Sequence, residues 1–395
     1  MILVVNAGSS SIKFRLFDTS EKQPKDILDG LAERITIDGI VSFKYEGTKY
    51  KFEVDLPNHE VAVDFILKKL VEMKIIKSAE AIKAVGFRIV HGGTISESSV
   101  ISTEVFNTIK DAVKLAPLHN PGAITAIEAV KKVMPNAKLV ACFDTAYHQT
   151  LNQEQYLYAV PYEWYEKHGV RKYGFHGISY QYITQQLANN LNKDLNKVNA
   201  IICHLGNGAS ITCIKEGKSF DTTMGLTPLA GVMMGTRSGD IDPSIIEYIC
   251  NELKITVKEA TSILNKQSGL LGMSGETSDM RDITNGYKQN KPNFIRSLNK
   301  YSQVAADYII RFANLIGHDI DAIVFTAGIG ENSETAREEI LKRLPLLDIE
   351  LDSKANQADY DESKVISTKN SKIPVIVMRT NEELMICLDT IKLIK

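Results

Sequence analysis

The chain has 395 residues, of which 44% are hydrophobic and 24% charged, and its formal net charge is −2 at pH 7. This length exceeds what one ordinary hydrophobic core supports, so we expect two domains. The nearly balanced charge, with no basic block, argues against a large nucleic-acid surface. No apolar run approaches the ~20 residues of a membrane span, and we expect no signal peptide at the start of the chain.

The cysteines, at positions 142, 203, 213, 250 and 387, show no C-x-x-C spacing. Three of them lie in apolar runs, and we expect them to be reduced core residues. The composition is that of a soluble globular protein. A cytoplasmic enzyme is therefore the expectation.

Residues 2–18 predict two strands joined by a turn of small residues, Ala-Gly-Ser-Ser. A turn with free backbone N–H groups and no bulky side chain suits a phosphate. An ordinary hairpin turn is the alternative. Further along, residues 39–56 alternate around Glu46-Gly47 and predict another hairpin, and residues 61–73 have helical spacing.

Residues 84–90 form an apolar run that predicts a buried strand, interrupted by Arg88. An arginine in such a run is costly unless it reaches a partner or a cleft. Arg88 is therefore either half of a structural ion pair or a ligand for an anion at the strand end.

Residues 118–122 predict a turn, 123–134 a helix and 138–143 a strand that ends in Asp144. An acid just past a buried parallel strand lies where α/β sheets place ligands. Asp144 also suits the N-cap of a helix, and both roles are compatible.

The composition becomes polar and aromatic near residue 149, where we place the crossing to a second domain. A glycine-rich loop at 171–177 carries His176, and a helix follows over 179–191. Residues 201–211 then repeat the pattern of 2–18: Ser-Ile-Thr-Cys at 210–213 aligns with Ser-Ile-Lys-Phe at 11–14, and Phe220-Asp221 echoes Phe17-Asp18. The repeat indicates a duplicated domain, in which two facing turns would hold a polyphosphate.

Two stretches, 222–243 and 268–282, are too rich in glycine for helices and too apolar for linkers, and long irregular loops are usually functional. A long helix is predicted over 294–316. The strand at 321–326 runs into a glycine turn at 327–332, which lacks the third glycine of a dinucleotide fingerprint. A strand at 374–378 and a helix at 384–394, capped by 381–383, end the chain. The sequence contains no Walker A motif.

Together these residues resemble the acetate kinase family, part of the superfamily that includes actin, sugar kinases and heat-shock chaperone ATPases. The resemblance runs from end to end and rests on six stretches in order. They are Asn-Ala-Gly-Ser-Ser-Ser-Ile-Lys at 6–13, Tyr-Gly-Phe-His-Gly-Ile-Ser at 173–179, His-Leu-Gly-Asn-Gly at 204–208, Gly-Thr-Arg-Ser-Gly-Asp-Ile-Asp-Pro at 235–243, Gly-Ile-Gly-Glu-Asn at 328–332 and Thr-Asn-Glu-Glu at 380–383.

The resemblance implies an α/β fold of two duplicated ribonuclease-H-like, actin-like ATPase domains, with mixed sheets flanked by helices and an interdomain cleft. The N-terminal domain would comprise residues 1–148 and 383–395, and the C-terminal domain residues 149–382. A homodimer is also implied, although no feature of the sequence by itself indicates a dimer.

The resemblance also implies the site. Asn6 and Glu382 would hold Mg²⁺, with Mn²⁺ as an alternative, and Arg88 would bind the acetate carboxylate. His176 and Arg237 would stabilise the transferring phosphoryl group, and Asp144 would be the catalytic acid group. The pocket for the acetate methyl would be Val90, Leu118, Phe175 and Pro228. The nucleotide would contact Lys13, His204, Leu205, Gly206, Asn207, Gly208, Asp279, Met280, Arg281, Gly328, Ile329, Gly330, Glu331 and Asn332.

The sequence departs from the family pattern at Ile178 and Tyr180, where Thr and His are usual, and at Ala230 and Arg379, where Glu and Pro are usual. None of these is a catalytic position implied by the resemblance. The implied reaction is phosphoryl transfer from ATP to acetate. Propionate kinase is the alternative within the class, and a chaperone-like or regulatory ATPase of the same superfamily is the alternative from another class.

Overall fold

A computed structural model of the chain describes residues 1–117 and 119–395, and these residues form two compact units. The first unit consists of Met1–Gln149 and Asn381–Lys395, and the second of Thr150–Thr380. These limits lie one or two residues from the domain boundaries expected from the sequence. None of the described helices is both long and apolar enough to cross a membrane.

The first unit contains an eight-stranded mixed sheet in the order β5-β4-β3-β2-β1-β6-β8-β7. Its strands are β1 (Ile2–Ala7), β2 (Ser11–Asp18), β3 (Lys25–Glu33), β4 (Ile40–Tyr45), β5 (Thr48–Glu53), β6 (Ala84–Ile89), β7 (Ser99–Val100) and β8 (Lys138–Phe143). The neighbours β1, β6 and β8 run parallel, whereas β1 to β5 form an antiparallel meander. The predicted hairpins at 2–18 and 39–56 are thus confirmed.

Helices cover both faces of this sheet: α1 (His59–Glu72), α2 (Thr103–Asp111), α3 (Asn120–Val133) and the C-terminal helix, which is the last in the chain (Glu382–Ile394). On β6, Val85 and Phe87 belong to one core together with residues of α1 and α3. Gly86, which points to the opposite face, is covered by Ile386 and Thr390 of the C-terminal helix. The C-terminal segment therefore completes the first unit.

The turn predicted at residues 118–122 is partly wrong, because α3 already begins at Asn120. Pro121 is compatible with the first helical turn, where a backbone N–H has no partner in the helix. Gly122 is required for close packing, since a Cβ there would lie 2.5 Å from the carbonyl carbon of Gly8. The helix thus starts directly against the turn between β1 and β2. Leu118 lies outside the described residues.

The second unit contains a six-stranded mixed sheet in the order β11-β10-β9-β12-β14-β13. Its strands are β9 (Ala200–Leu205), β10 (Ala209–Lys215), β11 (Lys218–Thr222), β12 (Ala322–Thr326), β13 (Ser363–Val365) and β14 (Val375–Met378). The strands β9, β12 and β14 run parallel, and β10, β11 and β13 pair antiparallel with their neighbours.

This order repeats the order β3-β2-β1-β6-β8-β7 of the first unit strand for strand, with the same directions, so the predicted duplication is confirmed. The alignment of residues 11–14 with 210–213 places both stretches on the second strand of each repeat. The predicted correspondence between Phe17-Asp18 and Phe220-Asp221 is wrong. Phe220 and Asp221 lie on β11, the counterpart of β3, because β10 and β11 are joined by a tight turn.

The helices of the second unit are α4 (Gln153–Tyr156), α5 (Tyr162–His168), α6 (Gly177–Asn190), α7 (Ser244–Leu253), α8 (Val257–Lys266), α9 (Gly269–Ser274), α10 (Met280–Lys288), α11 (Pro292–Ile316), α12 (Ala327–Asn332), α13 (Glu334–Leu341) and α14 (Ser353–Gln357), which makes the C-terminal helix α15. Helices α6 and α11 pack against β9. The predicted long helix at 294–316 is confirmed.

Two of the predicted loops contain helices. Residues 268–282 include α9 and the first turn of α10, and the glycine stretch 327–332 is itself α12. Ala327 starts α12 with a positive φ of 65°, and Asp279 caps α10 by accepting from the Arg281 N–H. These segments are thus helical in spite of the low helix propensity of glycine.

Residues 223–243 are irregular, as predicted. The carboxylate of Asp240 holds this loop in place by accepting from the Gly231 N–H at 2.7 Å and from the Tyr308 hydroxyl of α11. The backbone N–H of Met234 donates to the Arg237 carbonyl at 3.1 Å. The loop that carries Arg237 is therefore ordered by its own hydrogen bonds and by α11.

Candidate active site

The first group of predicted site residues lies at the carboxyl ends of the parallel strands β1, β6 and β8. Asn6 is near the end of β1, Arg88 is near the end of β6, and Asp144 directly follows β8. The three strands are neighbours in the sheet, so these side chains start at one edge. Ligands of α/β proteins bind at such an edge.

Arg88 forms ion pairs with two carboxylates. Its Nη2 lies 2.9 Å from Oδ2 of Asp144 and its Nε lies 3.1 Å from Oδ1, which is a two-bond contact. Its Nη1 lies 3.1 Å from Oε2 of Glu382, the first residue of α15. The side chains are 19% exposed for Arg88, 3% for Asp144 and 16% for Glu382. Arg88 is therefore part of a structural ion pair. This ion pair does not decide whether Arg88 also binds an anion.

Burial raises the pKa of Asp144 to about 6, and the nearby Glu382 acts in the same direction, although Arg88 opposes both. Burial opposes the charged form of Arg88 as well, but the two carboxylates outweigh it and raise the arginine pKa. One guanidinium thus shares two carboxylates, which leaves a net negative charge in the cluster.

A cavity of about 240 Å³ in the first unit is lined by Asn6, Lys13, Arg88 and Val90, among others. The strand predicted over 84–90 ends at Ile89, and Val90 lies at the bend that follows it. Alternation along a strand therefore does not place Val90 beside Arg88, but both residues line this cavity. Lys13 also pairs with Glu383, beside Glu382. Lys13, predicted as a nucleotide contact, therefore lies with the residues predicted to hold metal and acetate.

In the second unit, His176 lies at the junction between the 171–177 loop and α6, with a positive φ of 59°. Such a conformation is uncommon for a residue with a side chain and is found at functional sites. Its ring stacks on His204 at a centroid distance of 4.2 Å, and its Nδ1 lies 2.7 Å from Oγ of Ser210. The loop is anchored by Lys172, whose Nζ lies 2.5 Å from the buried carboxylate of Asp221 on β11.

Arg237 is partly buried, and its Nη1 donates to the Pro228 carbonyl at 3.2 Å. In the part of the chain that the structure describes, no carboxylate pairs with Arg237, and burial lowers its pKa. A Cβ built on Gly208 would lie 3.5 Å from Nη1 of Arg237 and 3.7 Å from Nε2 of His176. The two predicted phosphoryl ligands thus meet at the glycine turn of β9 and β10, where an uncompensated cation favours an anion.

A second cavity, of about 660 Å³, lies in the second unit. It is lined by eight of the predicted nucleotide residues: Gly206, Asn207, Asp279, Met280, Arg281, Gly328, Ile329 and Asn332. Three separate stretches of sequence therefore converge on one cavity. Asn207 is held there by a close approach to Gly235, whose added Cβ would lie 1.8 Å from the Asn207 side-chain oxygen.

Other predicted contacts lie beside this cavity. Leu205 and Gly330 are buried, and the Gly330 carbonyl accepts from Arg337 at 2.8 Å. The Glu331 carboxylate accepts from the backbone N–H groups of Ala327 at 2.9 Å and Thr380 at 3.1 Å. Glu331 thus braces α12. Phe175, predicted for the methyl pocket, is 1% exposed.

Sequence reasoning missed six residues that line the larger cavity: Ser278, Thr284, Asn285, Lys288, Ser333 and Glu334. Thr284, Asn285 and Lys288 follow Arg281 at helical spacing on α10. If the 268–282 stretch is interpreted as the start of a helix, that spacing identifies them, because residues three and four apart share one face.

The donor atoms near Arg88 fit a hard divalent cation. Asn6 supplies an amide oxygen and Glu382 a carboxylate, and Mg²⁺ prefers a few such oxygens together with water. Arg88 contacts Glu382 through Oε2, and a carboxylate has a second oxygen. Among the described residues no group of three or more His, Cys, Asp or Glu side chains is arranged to hold a metal.

The chain is similar to known proteins over nearly its whole length. The profile of the acetokinase family matches residues 1–388. The acetate kinase of Mesoplasma florum is 71% identical over 396 residues, with 100% of both chains covered.

Two solved structures are similar over nearly the whole chain. Porphyromonas gingivalis acetate kinase has a TM-score of 0.94 at 39% identity, covering 100% of this chain and 99% of that one. A propionate kinase from Francisella tularensis has a TM-score of 0.92 at 41% identity, covering 99% of each chain. With the family profile and the close relative spanning the sequence, the chain belongs to the acetokinase family.

Proposed function

We propose that the protein catalyses the reversible transfer of the γ-phosphoryl group of ATP to acetate, which yields acetyl phosphate and ADP. The observation that carries the proposal is the meeting of Arg237 and Nε2 of His176 at Gly208. In phosphoryl transfer, negative charge spreads over the phosphoryl oxygens, and cationic donors positioned for that charge supply most of the catalysis. Arg237 is suited to this role because no carboxylate neutralises it among the described residues.

The nucleotide is assigned to the cavity of the second unit. Its volume of about 660 Å³ falls within the ~300–1,000 Å³ range of small-molecule sites. Gly206, Gly328 and Asn207 line it with little side-chain bulk, which permits close approach of the backbone. The assignment includes Asp279, Met280, Arg281, Ile329 and Asn332.

Acetate is assigned to Arg88 in the first unit. Nη1 and Nη2 of an arginine each carry two N–H groups. The hydrogen bonds with Asp144 use Nε and Nη2, whereas Nη1 forms an ion pair with Glu382. The edge of the guanidinium formed by Nη1 and Nη2 would bind the carboxylate with the two-bond geometry that arginine favours. Val90 lines the same cavity and would contact the methyl group.

Acetate needs no general base, because a carboxylic acid with a pKa of about 4–5 is already ionised at pH 7. An acetate oxygen forms the new bond to the γ-phosphorus, the bond from that phosphorus to the β,γ-bridging oxygen breaks, and ADP leaves with that electron pair. We therefore assign Asp144 a positioning role: it holds Arg88 by two hydrogen bonds and removes no proton.

A divalent cation, Mg²⁺ or Mn²⁺, is assigned to Asn6 and Glu382. When bound, it neutralises charge on the nucleotide phosphates. Replacement of Glu382 by Gln should raise the Mg²⁺ concentration needed for half-maximal activity, because Mg²⁺ prefers carboxylate oxygens. An unaltered Mg²⁺ dependence would leave Glu382 only as a partner of Arg88.

The proposal is tested with the purified protein, ATP or GTP, and a panel of acetate, propionate and butyrate. ADP formation should require a carboxylate, and kcat/KM should be highest for acetate. The similarity to a propionate kinase makes propionate the second candidate, which a higher kcat/KM for propionate would establish. ADP formation that is independent of any carboxylate would contradict a carboxylate kinase and favour an ATPase.

We also propose a homodimer in the cytoplasm. The dimer is supported by exposed apolar side chains on α7 and α8, among them Tyr248 and Val257, which are 66% and 63% exposed, because exposed apolar patches mark contact surfaces. Free cysteines, four of them buried, support a reducing compartment. Light scattering coupled to size-exclusion chromatography distinguishes a dimer from a monomer.

A further inference from the structure

Two hydroxyl groups lie in series behind His176, on the side of the ring opposite Gly208. Nδ1 of His176 lies 2.7 Å from Oγ of Ser210, and the same Oγ lies 2.6 Å from the hydroxyl of Tyr180. Ser210 is on β10 and Tyr180 is on α6, and both are 0% exposed. The order of groups is therefore Tyr180, Ser210 and then Nδ1, with Nε2 at the other end, beside Arg237.

The Ser210 hydroxyl can donate its single proton to either of two acceptors. Within the described part of the chain, the hydrogen bonds of this hydroxyl are those to His176 and Tyr180. A buried hydroxyl that donates to no acceptor costs free energy, so the Ser210 proton points either to Nδ1 of His176 or to the oxygen of Tyr180. These two choices give two complete networks of opposite direction.

In the first network, the Tyr180 hydroxyl donates to Ser210, Ser210 donates to Nδ1, and neutral His176 carries its proton on Nε2. In the second, His176 is cationic, Nδ1–H donates to Ser210, and Ser210 donates to Tyr180. The Tyr180 proton then turns to the side chain of Thr212, which also forms a hydrogen bond with Tyr180. Nε2 carries a proton in both networks.

We propose that Ser210 and Tyr180 are positioning residues that keep Nε2 of His176 a hydrogen-bond donor whether the imidazole is neutral or cationic. The inference rests on the proposed function, since the donor matters there for the phosphoryl group. Two hydroxyls in series can reverse direction without losing a hydrogen bond, whereas a fixed acceptor such as a carbonyl stabilises one tautomer only. The consequence is a phosphoryl clamp that persists through the titration of His176.

The other groups that face this pair have distinct roles. Arg237, beside Nε2, stays cationic at every working pH. Burial raises the pKa of Tyr180 and of Cys203, which interacts with Tyr180, so both remain neutral. His204 stacks on His176, and its Nδ1 lies 2.9 Å from Oγ of Ser179. His204 is thus the neighbour whose protonation must be followed together with that of His176.

The first measurement uses ¹⁵N NMR of the histidine rings in the parent protein without substrates, with the signals assigned by comparison with His176→Gln and His204→Gln. ¹⁵N shifts distinguish a protonated ring nitrogen from a bare one. Neutral His176 should carry its proton on Nε2. A neutral His176 with its proton on Nδ1 in the parent protein overturns the proposal.

The second measurement compares Tyr180→Phe with Tyr301→Phe. Among the described residues the Tyr301 hydroxyl is buried and has no hydrogen-bond partner, so its removal is a matched control. In Tyr180→Phe the reversed network leaves the Ser210 proton without an acceptor. The pKa of His176 should therefore fall by about 1–2 units, which corresponds to one unsatisfied buried group. A His176 pKa equal to that of the Tyr301→Phe control overturns the proposal.

The third measurement separates positioning from general structure. Ser210→Ala removes the hydroxyl that contacts Nδ1, so neutral His176 should become a mixture of tautomers. The kcat should fall about 3–10-fold, as for the loss of one hydrogen bond, with little change in KM. A pure Nε2–H tautomer in this variant shows that Ser210 does not select the tautomer. Because the NMR is recorded without substrates, its outcome is independent of the substrate panel, which alone decides whether the protein is a carboxylate kinase.

Discussion

The ion-pair cluster of Arg88 allows structural and substrate-binding roles to be separated in one experiment. Arg88→Gln leaves Asp144 and Glu382, which are 3% and 16% exposed, without their cation. Removal of one partner of a buried ion pair typically costs about 3–5 kcal/mol. For a unit of this size, each kcal/mol lowers Tm by about 2–4 °C, so we expect the first unit to unfold roughly 6–20 °C lower.

The matched control is Arg34→Gln. Arg34 forms an ion pair with Asp38 in the same unit, but the two side chains are 53% and 64% exposed. Exposed pairs contribute below about 1 kcal/mol, so the control should differ from the parent by less than about 4 °C. Calorimetry without substrates and without Mg²⁺ measures both variants. Equal shifts in Arg88→Gln and Arg34→Gln would refute the energetic argument.

The double variant Arg88→Gln/Asp144→Asn then tests function. It removes one charge of each sign, and an amide pair can retain a hydrogen bond, so much of the lost Tm should return through coupling of the neighbouring sites. Acetate binding should not return, because the two-bond grip on a carboxylate needs the guanidinium. We expect an acetate KM at least about tenfold above the parent value in both variants. A double variant with restored Tm and the parent KM would make Arg88 purely structural.

Three further predictions concern single sites. Arg237→Met should lower kcat by about 10²-fold or more. It should not lower Tm, since it removes a cation that has no carboxylate partner among the described residues. A kcat equal to that of the parent would show that Arg237 takes no part in the mechanism. Val90→Ala should narrow the preference for acetate over propionate mainly through KM, because one methylene is worth about 1–3 kcal/mol in an apolar pocket. An unaltered ratio of the kcat/KM values for acetate and propionate, or a parent that prefers propionate, would show that Val90 does not limit the length of the substrate. Burial lowers the pKa of His91 to about 4, below the ~6.5 of a histidine in the unfolded chain. Between these two values the unfolded state binds a proton that the folded state does not. The free energy of unfolding should therefore fall by at most about 3 kcal/mol as the pH is lowered from 6.5 to 4. Chemical denaturation across this range should give a flatter profile for His91→Gln, and an equal slope in both proteins would contradict the assignment.

Much of the fold was predictable because its information is local. Alternating apolar residues identify the hairpins, and a period of 3.6 identifies α1 and α11. Where the prediction failed at residues 118–122, a tertiary contact is present: Gly122, in the first turn of α3, packs against Gly8. In residues 327–332, the Glu331 carboxylate accepts from the Ala327 N–H within α12 and also from the distant Thr380 N–H.

The candidate site was likewise predictable from the sequence only in part. The repeat of residues 2–18 in 201–211 predicted the duplicated arrangement, and the family resemblance implied the roles of Asp144, His176 and Arg237. Sequence alone left Arg88 as either an ion-pair partner or an anion ligand, because a linear pattern does not say which carboxylates lie within reach.

The tertiary structure decided which groups share a proton or a charge. Arg88 meets Glu382 only because the C-terminal segment packs on the sheet of the first unit. Tyr180, a departure from the family pattern with no role evident from sequence, contacts Ser210 because α6 packs against β9, the neighbour of β10. Spacing along the chain sets which side chains share a face of one element, whereas hydrogen bonds and ion pairs require distances of about 3 Å, and only the packing of one element on another sets those.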